Sequence, residues 1–238
     1  MKVELYFTYT GLKEDDLLGK TVVVIDVLRA CTVISTAFAA GCREIIPVNS
    51  IGAASTLASN LDKDVVILAG EREGHRVDGF DLGNSPLEFT KEVVKDKTVI
   101  LASTNGTKAI VLGSSGERCL TASLTNISTV SRYLDELNSR TVIICSGKES
   151  RFSLEDAICG GMIISKLKSK PEFVNDAVEV AAALASKYEG DVHSALKHCD
   201  HGKYLTSIGY AADIEYASRL DELDVLPFWD GGRLVVKN

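Results

Sequence analysis

The chain has 238 residues, of which 45% are hydrophobic and 25% charged, and its formal net charge is −7. This balance fits one large α/β domain, or one domain with a small appendage, around a full core. The acidic charge argues against a nucleic-acid-binding protein, which normally presents a basic face. It does not exclude an anionic small molecule as ligand, because a few Arg or Lys side chains can reverse the potential inside one cleft.

The first twenty residues predict no signal peptide, since their apolar stretch is short and is followed by acids. The other apolar runs have the length of strands and are too short to cross a bilayer. A cytoplasmic protein without a membrane partner is therefore expected, and the sequence leaves a homo-oligomer open. The six cysteines form no CxxC pair, so free thiols are the expected state.

Apolar, β-branched runs alternate with helical patterns through most of the chain. Several runs are apolar almost throughout, which is typical of parallel strands covered by helices on both faces. The predicted strands are Val3–Thr8, Val22–Val27, Glu44–Val48, Val65–Ala69, Thr98–Ala102, Arg118–Thr121 and Thr141–Cys145. The predicted helices are Cys31–Ala40, Ile51–Asn60, Pro86–Val94, Thr107–Leu112, Ile127–Asn138 and Ser153–Lys168. This alternation predicts an α/β fold with three α/β/α layers and a mostly parallel sheet.

The rhythm of strands stops after Lys168, and the remainder reads as mostly helical. Its predicted helices are Phe173–Lys187, Val192–His198 and Gly209–Leu220, and Arg233–Val236 is predicted as an edge strand. We therefore expect a core over residues 1–168 that carries the active site. Residues 169–238 are predicted to form a C-terminal helical subdomain packed on that core.

Polar residues follow four of the predicted strands. Ligands of open parallel sheets bind beyond the carboxyl ends of the strands, so these loops are expected to meet in one cleft. The loops are Asp26 to Arg29, Gly70 to Gly74, Ser103 to Thr107, and Ser146 to Asp156. Their acids, arginines, hydroxyls and glycines together predict an anion-binding and metal-binding site.

Carboxylates in these loops suggest a magnesium ion. Asp26 and Glu71 offer the hard oxygen atoms that Mg²⁺ prefers, and Asp156 is predicted as a third metal ligand. Glu155 is predicted as a catalytic residue together with Asp26 and Arg29. Acids in a first helical turn also favour the helix dipole, so a purely structural role for Glu155 and Asp156 stays open.

Basic side chains, hydroxyls and backbone amides are the predicted substrate ligands. Arg29 and Arg72 can hold a phosphate, carboxylate or sulfonate through two parallel hydrogen bonds. The Ser-Thr-Asn-Gly-Thr loop opens a helix, whose amides and dipole favour an anion. The complete predicted set is Arg29, Arg72, Ser103, Thr104, Asn105, Gly106, Thr107, Ser146, Lys148 and Arg151. The segment Gly79–Pro86 either covers the ligand or is simply a well-capped loop.

A second chemistry is suggested by Cys145, which is followed after five residues by Arg151. A strand, this spacing and a helix form the layout of a cysteine phosphatase loop, in which a thiolate attacks phosphorus. Glu149 lies within this loop, only one glycine is present and no His precedes the cysteine. The thiolate is therefore kept only as an alternative.

Five blocks together resemble the 2-phosphosulfolactate phosphatase family. They are DVLRACT from Asp26, GEREG from Gly70, GFDLGNSP from Gly79, STNGT from Ser103 and FSLED from Phe152, and GYAADI from Gly209 resembles the family's final block. The resemblance implies an α/β/α fold and a Mg²⁺-dependent phosphatase that converts 2-phospho-3-sulfolactate to 3-sulfolactate, a step toward coenzyme M. One departure is Cys31-Thr32-Val33, where small residues or threonines are expected, so a hydroxyl role at position 31 is in doubt.

The predicted partner is thus a small, anionic phosphate ester. The residues leave open whether Asp26 ligates the metal, acts as a base or attacks phosphorus. The residue Leu28 occupies the place of the second acid in the DxDx pattern of aspartyl-phosphate hydrolases, which favours a ligand or a base. Two alternatives remain, namely a phosphatase of another small 2-phospho acid and a non-catalytic anion-binding module.

Overall fold

The computed structural model describes residues 1–62 and 64–236, and its centre is a mixed sheet. The strands are β1 Lys2–Tyr6, β2 Thr21–Ile25, β3 Glu44–Val48, β4 Val66–Arg72, β5 His75–Arg76, β6 Thr98–Ala102, β7 Arg118–Ala122, β8 Thr141–Cys145, β9 Glu172–Phe173, β10 Pro227–Asp230 and β11 Arg233–Val236. Their order across the sheet is β5-β4-β6-β3-β11-β10-β7-β2-β8-β1-β9. All neighbours are parallel except β4–β5, β3–β11, β11–β10 and β10–β7.

Ten α-helices lie among the described residues. They are α1 Ala30–Ala39, α2 Ile51–Ser59, α3 Lys91–Val94, α4 Gly106–Gly113, α5 Ile127–Leu137, α6 Leu154–Lys166, α7 Asp176–Tyr188, α8 Val192–His198, α9 Asp200–Ser207 and α10 Ala211–Ala217. In the part of the chain that the structure describes, none of these helices combines the length and apolarity needed to cross a membrane.

Both faces of the sheet are buried, as the apolar strands predict. In β2, Val22 and Val24 join the core that contains α1 and α4, whereas Val23 and Ile25 join the core that contains α5 and α6. The residues of β2 are all fully buried, because helices cover each side. The predicted α/β fold with a mostly parallel sheet is confirmed.

The predicted edge strand Arg233–Val236 is wrong in its position. Strand β11 pairs with β10 as a hairpin, and the hairpin lies in the middle of the sheet between β3 and β7. Leu234 pairs with Ile45 and is fully buried, which gives this short strand its place in the core. The division of the chain at residue 168 stays a prediction.

One predicted helix is replaced by two shorter elements, and one helix was not predicted. The predicted helix Pro86–Val94 is a 3-10 turn, Pro86–Glu88, followed by α3, because the chain is extended at Thr90 and buries Phe89. Helix α9 was not predicted from the sequence. Its first turn contains Gly202, where a Cβ atom would clash with the carbonyl oxygen of Leu196, so glycine here serves the close packing of α8 against α9.

Candidate active site

A cavity of about 620 Å³ lies at the carboxyl ends of β2, β4, β6 and β8. The loops after these strands form one wall, which we call the strand-end wall. The opposite side is formed by His201, Tyr204 and Leu205 of α9, and α10 packs against α9; we call these two helices the helical wall. The predicted site residues that line the cavity are Asp26, Arg29, Glu71, Arg72, Ser103, Thr104, Asn105 and Lys148.

Asp26 follows β2 directly and is only 6% exposed. Its Oδ1 accepts a hydrogen bond of 3.1 Å from the backbone amide of Ala30. A Cβ atom at Gly106 would clash with Oδ2, so glycine allows α4 to begin beside this carboxylate. Burial raises the pKa of Asp26 to about 6, although the charge of His201 lowers it. A cation beside Asp26 would therefore be strongly stabilising.

Glu71 joins two of the strand-end loops. Its Oε1 accepts a hydrogen bond of 2.7 Å from the amide of Thr104, and its Oε2 accepts one of 2.9 Å from the amide of Gly74. Each carboxylate oxygen has a further lone pair. These bonds thus fix the orientation of Glu71 while its oxygens keep the capacity to bind a cation.

Two buried oxygens of the cavity lining, Oδ1 of Asn84 and Oγ1 of Thr104, have no hydrogen-bond partner among the described residues. A buried polar atom without a partner costs about 1–3 kcal/mol. A ligand in the cavity, or water held by it, would satisfy these atoms. Asn84 belongs to the Gly79–Pro86 segment, so this loop contributes to the lining.

The oxygen atoms of this wall fit a magnesium ion. Mg²⁺ in proteins usually takes one or two carboxylates and completes its shell with water and substrate phosphate. Asp26 and Glu71 supply such carboxylates, and the unpartnered oxygen of Thr104 lies in the same lining. Within residues 1–62 and 64–236, no group of three or more His, Cys, Asp or Glu side chains is arranged to hold a metal. An ion held by Asp26 and Glu71 would therefore need water or substrate oxygens to complete its coordination shell.

Asp156, the third predicted metal ligand, does not line the cavity. It is 2% exposed, and Oδ1 accepts a hydrogen bond of 2.9 Å from the amide of Val27. Its Oδ2 accepts bonds of 3.2 Å from the hydroxyl of Ser146 and the amide of Gly147. Burial and the charges of Glu155 and Asp26 raise the pKa of Asp156 well above its ordinary value. Asp156 therefore holds two strand-end loops together, and we do not count it among the metal ligands.

Arg29 is 3% exposed and is already paired within the protein. Its Nη1 donates to Oδ2 of Asp213 at 2.7 Å, and its Nη2 donates to the carbonyl oxygen of Gly74 at 2.5 Å. The ring of Tyr210 lies 4.2 Å from its guanidinium carbon. Asp213 also accepts a bond of 2.6 Å from Ser85. Arg29 thus connects the helical wall to the strand-end wall, and its role in holding substrate stays a prediction.

The remaining cations differ in their placement. Arg72 and Lys148 line the cavity, and Nζ of Lys148 lies 4.5 Å from the centre of the Tyr204 ring. Arg151 is exposed and lies outside the lining, where its backbone pairs with that of Lys148. Arg72 and Lys148 are therefore the basic side chains available to an anionic ligand.

The other predicted substrate ligands form the frame of the cavity. Thr107 is fully buried and bonds to Ser103, and Ser146 is 1% exposed and bonds to Asp156. Gly106 lies against Asp26, as described above. These residues shape the loops, whereas Ser103, Thr104 and Asn105 reach the lining.

Glu155 is 2% exposed and does not line the main cavity. Its Oε1 lies 3.2 Å from Nδ1 of His201, which does line it. Burial alone would raise the pKa of Glu155, but the hydrogen bond and charge of His201 outweigh it, so this pKa is lowered. His201, Tyr204 and Asp213 were not predicted as site residues, although Asp213 lies in the GYAADI block.

The thiolate alternative has no support in the geometry. Cys145 ends β8, is fully buried and belongs to the apolar core. Burial and the charges of Asp156 and Glu155 raise the pKa of its thiol well above the ordinary value. Cys145 is therefore an inert core residue, and all six cysteines are free.

Comparison with known proteins gives a consistent result. A family model described as 2-phosphosulpholactate phosphatase matches residues 6–232. A protein of Caldanaerobacter subterraneus named probable 2-phosphosulfolactate phosphatase is 41% identical over 228 residues, which are 95% of each chain. Proteins with the same name are 41% identical in Carboxydothermus hydrogenoformans, over 100% of this chain and 98% of the relative, and 36% identical in Clostridium botulinum strain Eklund 17B, over 99% of both. The chain belongs to the 2-phosphosulfolactate phosphatase family.

Proposed function

We propose that this protein hydrolyses 2-phospho-3-sulfolactate to 3-sulfolactate and phosphate with the help of Mg²⁺, as a step toward coenzyme M. The observation that carries the proposal is the meeting of Asp26, Glu71, Arg72 and Lys148 around one cavity in a chain of this family. The relatives' names supply the substrate, and the charges of the lining agree with it.

The charges of the lining suit a substrate with phosphate, carboxylate and sulfonate groups. Arg72 and Lys148 can pair with anionic arms, since both line the cavity. Asn105, the residue that precedes α4, lines the same space, and backbone amides at the amino end of a helix favour an anion. Two carboxylates beside these cations would repel the substrate unless a cation or a proton neutralises them.

Asp26 and Glu71 would hold the magnesium ion. When bound, Mg²⁺ polarises the phosphoryl oxygens and neutralises their charge. Asp26 either serves this ion alone or also takes a proton from the attacking water. Glu71, fixed by the amides of Thr104 and Gly74, keeps the loops after β4 and β6 in one orientation.

The test measures phosphate release from 2-phospho-3-sulfolactate, 2-phospholactate and phosphoglycolate, each with Mg²⁺ and with EDTA. We expect release that depends on Mg²⁺, with a kcat/KM at least about tenfold higher for the sulfonate-bearing ester, which is about 1.4 kcal/mol of discrimination. Equal rates across the panel would favour a general 2-phospho acid phosphatase. Tight binding without release would favour an anion-binding module, and full activity in EDTA would exclude the role of the metal.

A matched pair of arginines tests the assignment of the cavity. Arg72 lines it, whereas Arg76 is exposed, lies outside the lining and donates to the carbonyl oxygen of Asp81 at 3.3 Å. Arg72→Ala should raise KM by about tenfold or more, because a charged hydrogen bond contributes about 1.5–3 kcal/mol. Arg76→Ala should leave KM unchanged. Equal effects of the two substitutions would mean that only the overall charge matters.

A further inference from the structure

His201 and Glu155 form a histidine–carboxylate pair at the boundary between the main cavity and a second, smaller one. The second cavity has a volume of about 220 Å³ and shares Lys148 and His201 with the main cavity. Glu155 lines only the second. The imidazole thus stands between the proposed substrate space and a separate pocket that contains its carboxylate partner.

The geometry orients the imidazole. Nδ1 lies 3.2 Å from Oε1 of Glu155, and Nε2 has no hydrogen-bond partner among the residues that the structure describes. The side chain of Glu155 is 2% exposed and that of His201 is 19% exposed. A carboxylate bonded to one ring nitrogen fixes the tautomer and stabilises the charged ring, which leaves the other nitrogen free to exchange a proton with a substrate.

His201 is also electrostatically close to the proposed metal-binding carboxylate, because its charge lowers the pKa of Asp26. Besides Asp26, the charged or titratable groups that share the main cavity with His201 are Arg29, Glu71, Arg72, Glu73, Lys148, Glu149 and Tyr204, and those that share the second are Lys148, Glu155, His198, Cys199 and Asp200. Glu155 is the one that bonds to the ring. This arrangement gives His201 a negative partner on one side and access to the substrate space on the other.

We propose that His201 donates the proton to the leaving oxygen of the phosphate ester and that Glu155 is a positioning residue for its imidazole. The inference rests on the proposed function, because it concerns the same reaction. Water forms the new bond to phosphorus and gives up a proton to a carboxylate or to solvent. The bond between phosphorus and the ester oxygen breaks, its electron pair stays on that oxygen, and Nε2 of His201 supplies the proton that makes the alcohol. The imidazole regains a proton from solvent, for which the second cavity offers a route.

This assignment explains why an alkyl phosphate would need the helical wall. An alkoxide is a poor leaving group, and a positioned proton donor typically contributes about 10²- to 10⁴-fold. Arg72 and Lys148 can stabilise negative charge on the substrate. Lys148 is directed toward the ring of Tyr204, so we do not assign it the role of proton donor. Among the described residues of the lining, His201 is the only imidazole.

The test compares the pH dependence of kcat in the wild type, His201→Asn, His201→Gln and Glu155→Gln, with His193→Asn as control. His193 is exposed, lies outside both cavities and bonds through Nδ1 to Ser218 at 3.3 Å. We expect either His201 variant to lower kcat by about 10²-fold or more with a small change in KM, and to lose the alkaline limb of the profile. Glu155→Gln should lower kcat with little change in KM, because the neutral amide orients the imidazole less firmly than the carboxylate. His193→Asn should match the wild type.

A merely structural His201 would lower the amount of active enzyme without changing the shape of the profile, and that result would overturn the inference. If the wild type releases phosphate and the His201 variants keep its profile, only this inference fails. If the wild type releases none, the proposed function fails. In that case, the His201–Glu155 contact is measured without turnover, from the ¹⁵N chemical shifts of the His201 ring. Inorganic phosphate is added as the probe, and the Glu155→Gln variant serves as the reference. We expect Nε2 of His201 to respond to phosphate and Nδ1 to respond to Glu155→Gln, and the absence of both responses overturns the assignment.

Discussion

The two walls of the cavity differ in how their side chains are held. The carboxylates of the strand-end wall are fixed mainly by backbone amides, as Asp26 is by Ala30 at the start of α1 and Glu71 is by Thr104 of the loop after β6. The helical wall is fixed by side-chain pairs, above all Arg29 with Asp213. Groups held by local backbone can be changed with little effect on folding, whereas a buried ion pair cannot lose one partner cheaply. This difference predicts that substitutions in the strand-end wall lower activity and that substitutions in the helical wall lower stability.

The largest expected effect is on the strand-end wall. Asp26→Asn should lower phosphate release by about 10²- to 10⁴-fold, because it removes the charge that would hold the metal or accept a proton. The asparagine oxygen can still accept the hydrogen bond from Ala30, so the thermal unfolding midpoint should stay within a few degrees of the wild type. Full activity would contradict the role of Asp26, and loss of folding would break the comparison between the walls.

Substitutions in the helical wall are expected to lower the stability of the fold. Asp213→Ala leaves the guanidinium of Arg29 buried without its partner, which should lower the free energy of unfolding by about 3–5 kcal/mol. Ser85→Ala removes only the neutral donor to Asp213 and should cost about 1–3 kcal/mol. Urea unfolding of the two variants measures the difference. An equal loss of unfolding free energy in the two variants would show that the Arg29–Asp213 ion pair does not stabilise the wall.

The smallest effect concerns the core beneath both walls. Cys145→Ala should keep kcat and KM within about twofold of the wild type, because the buried thiol takes no part in the proposed chemistry. Loss of volume in the core should lower the free energy of unfolding by about 1 kcal/mol. A steady-state assay decides the matter, since abolished turnover in a folded Cys145→Ala would restore the thiolate mechanism.

The strand-end wall could be predicted from the sequence because parallel topology brings the ends of β2, β4, β6 and β8 to one side of the sheet. Each of these strands is an apolar run that ends in polar residues, so the positions of these residues in the sequence were enough to predict the wall. The helical wall could not be predicted in this way. His201 and Asp213 are separated from their partners Glu155 and Arg29 by 46 and 184 positions, and a pattern in local sequence does not report such pairs.

The same limit explains the errors in placement. Glu155 and Asp156 are neighbours in the first turn of α6, yet one bonds to His201 and the other to backbone amides of two loops. Their different directions depend on which loops pack against the helix. Likewise, the sequence of β11 resembles an edge strand, because it is short and contains Arg233. Its pairing with β3 depends on tertiary contacts.

The central hairpin has a consequence for how the site is assembled. Strands β10 and β11 separate β4, β6 and β3 on one side from β7, β2, β8 and β1 on the other. Glu71 lies in β4 and Thr104 follows β6, both in the first group, whereas Asp26 follows β2 and Ser146 follows β8 in the second. The hairpin follows all of them in the sequence and pairs with each group at one position, Leu234 with Ile45 and Phe228 with Leu120. During synthesis, the two groups of strands would therefore become one sheet only when this hairpin pairs with both.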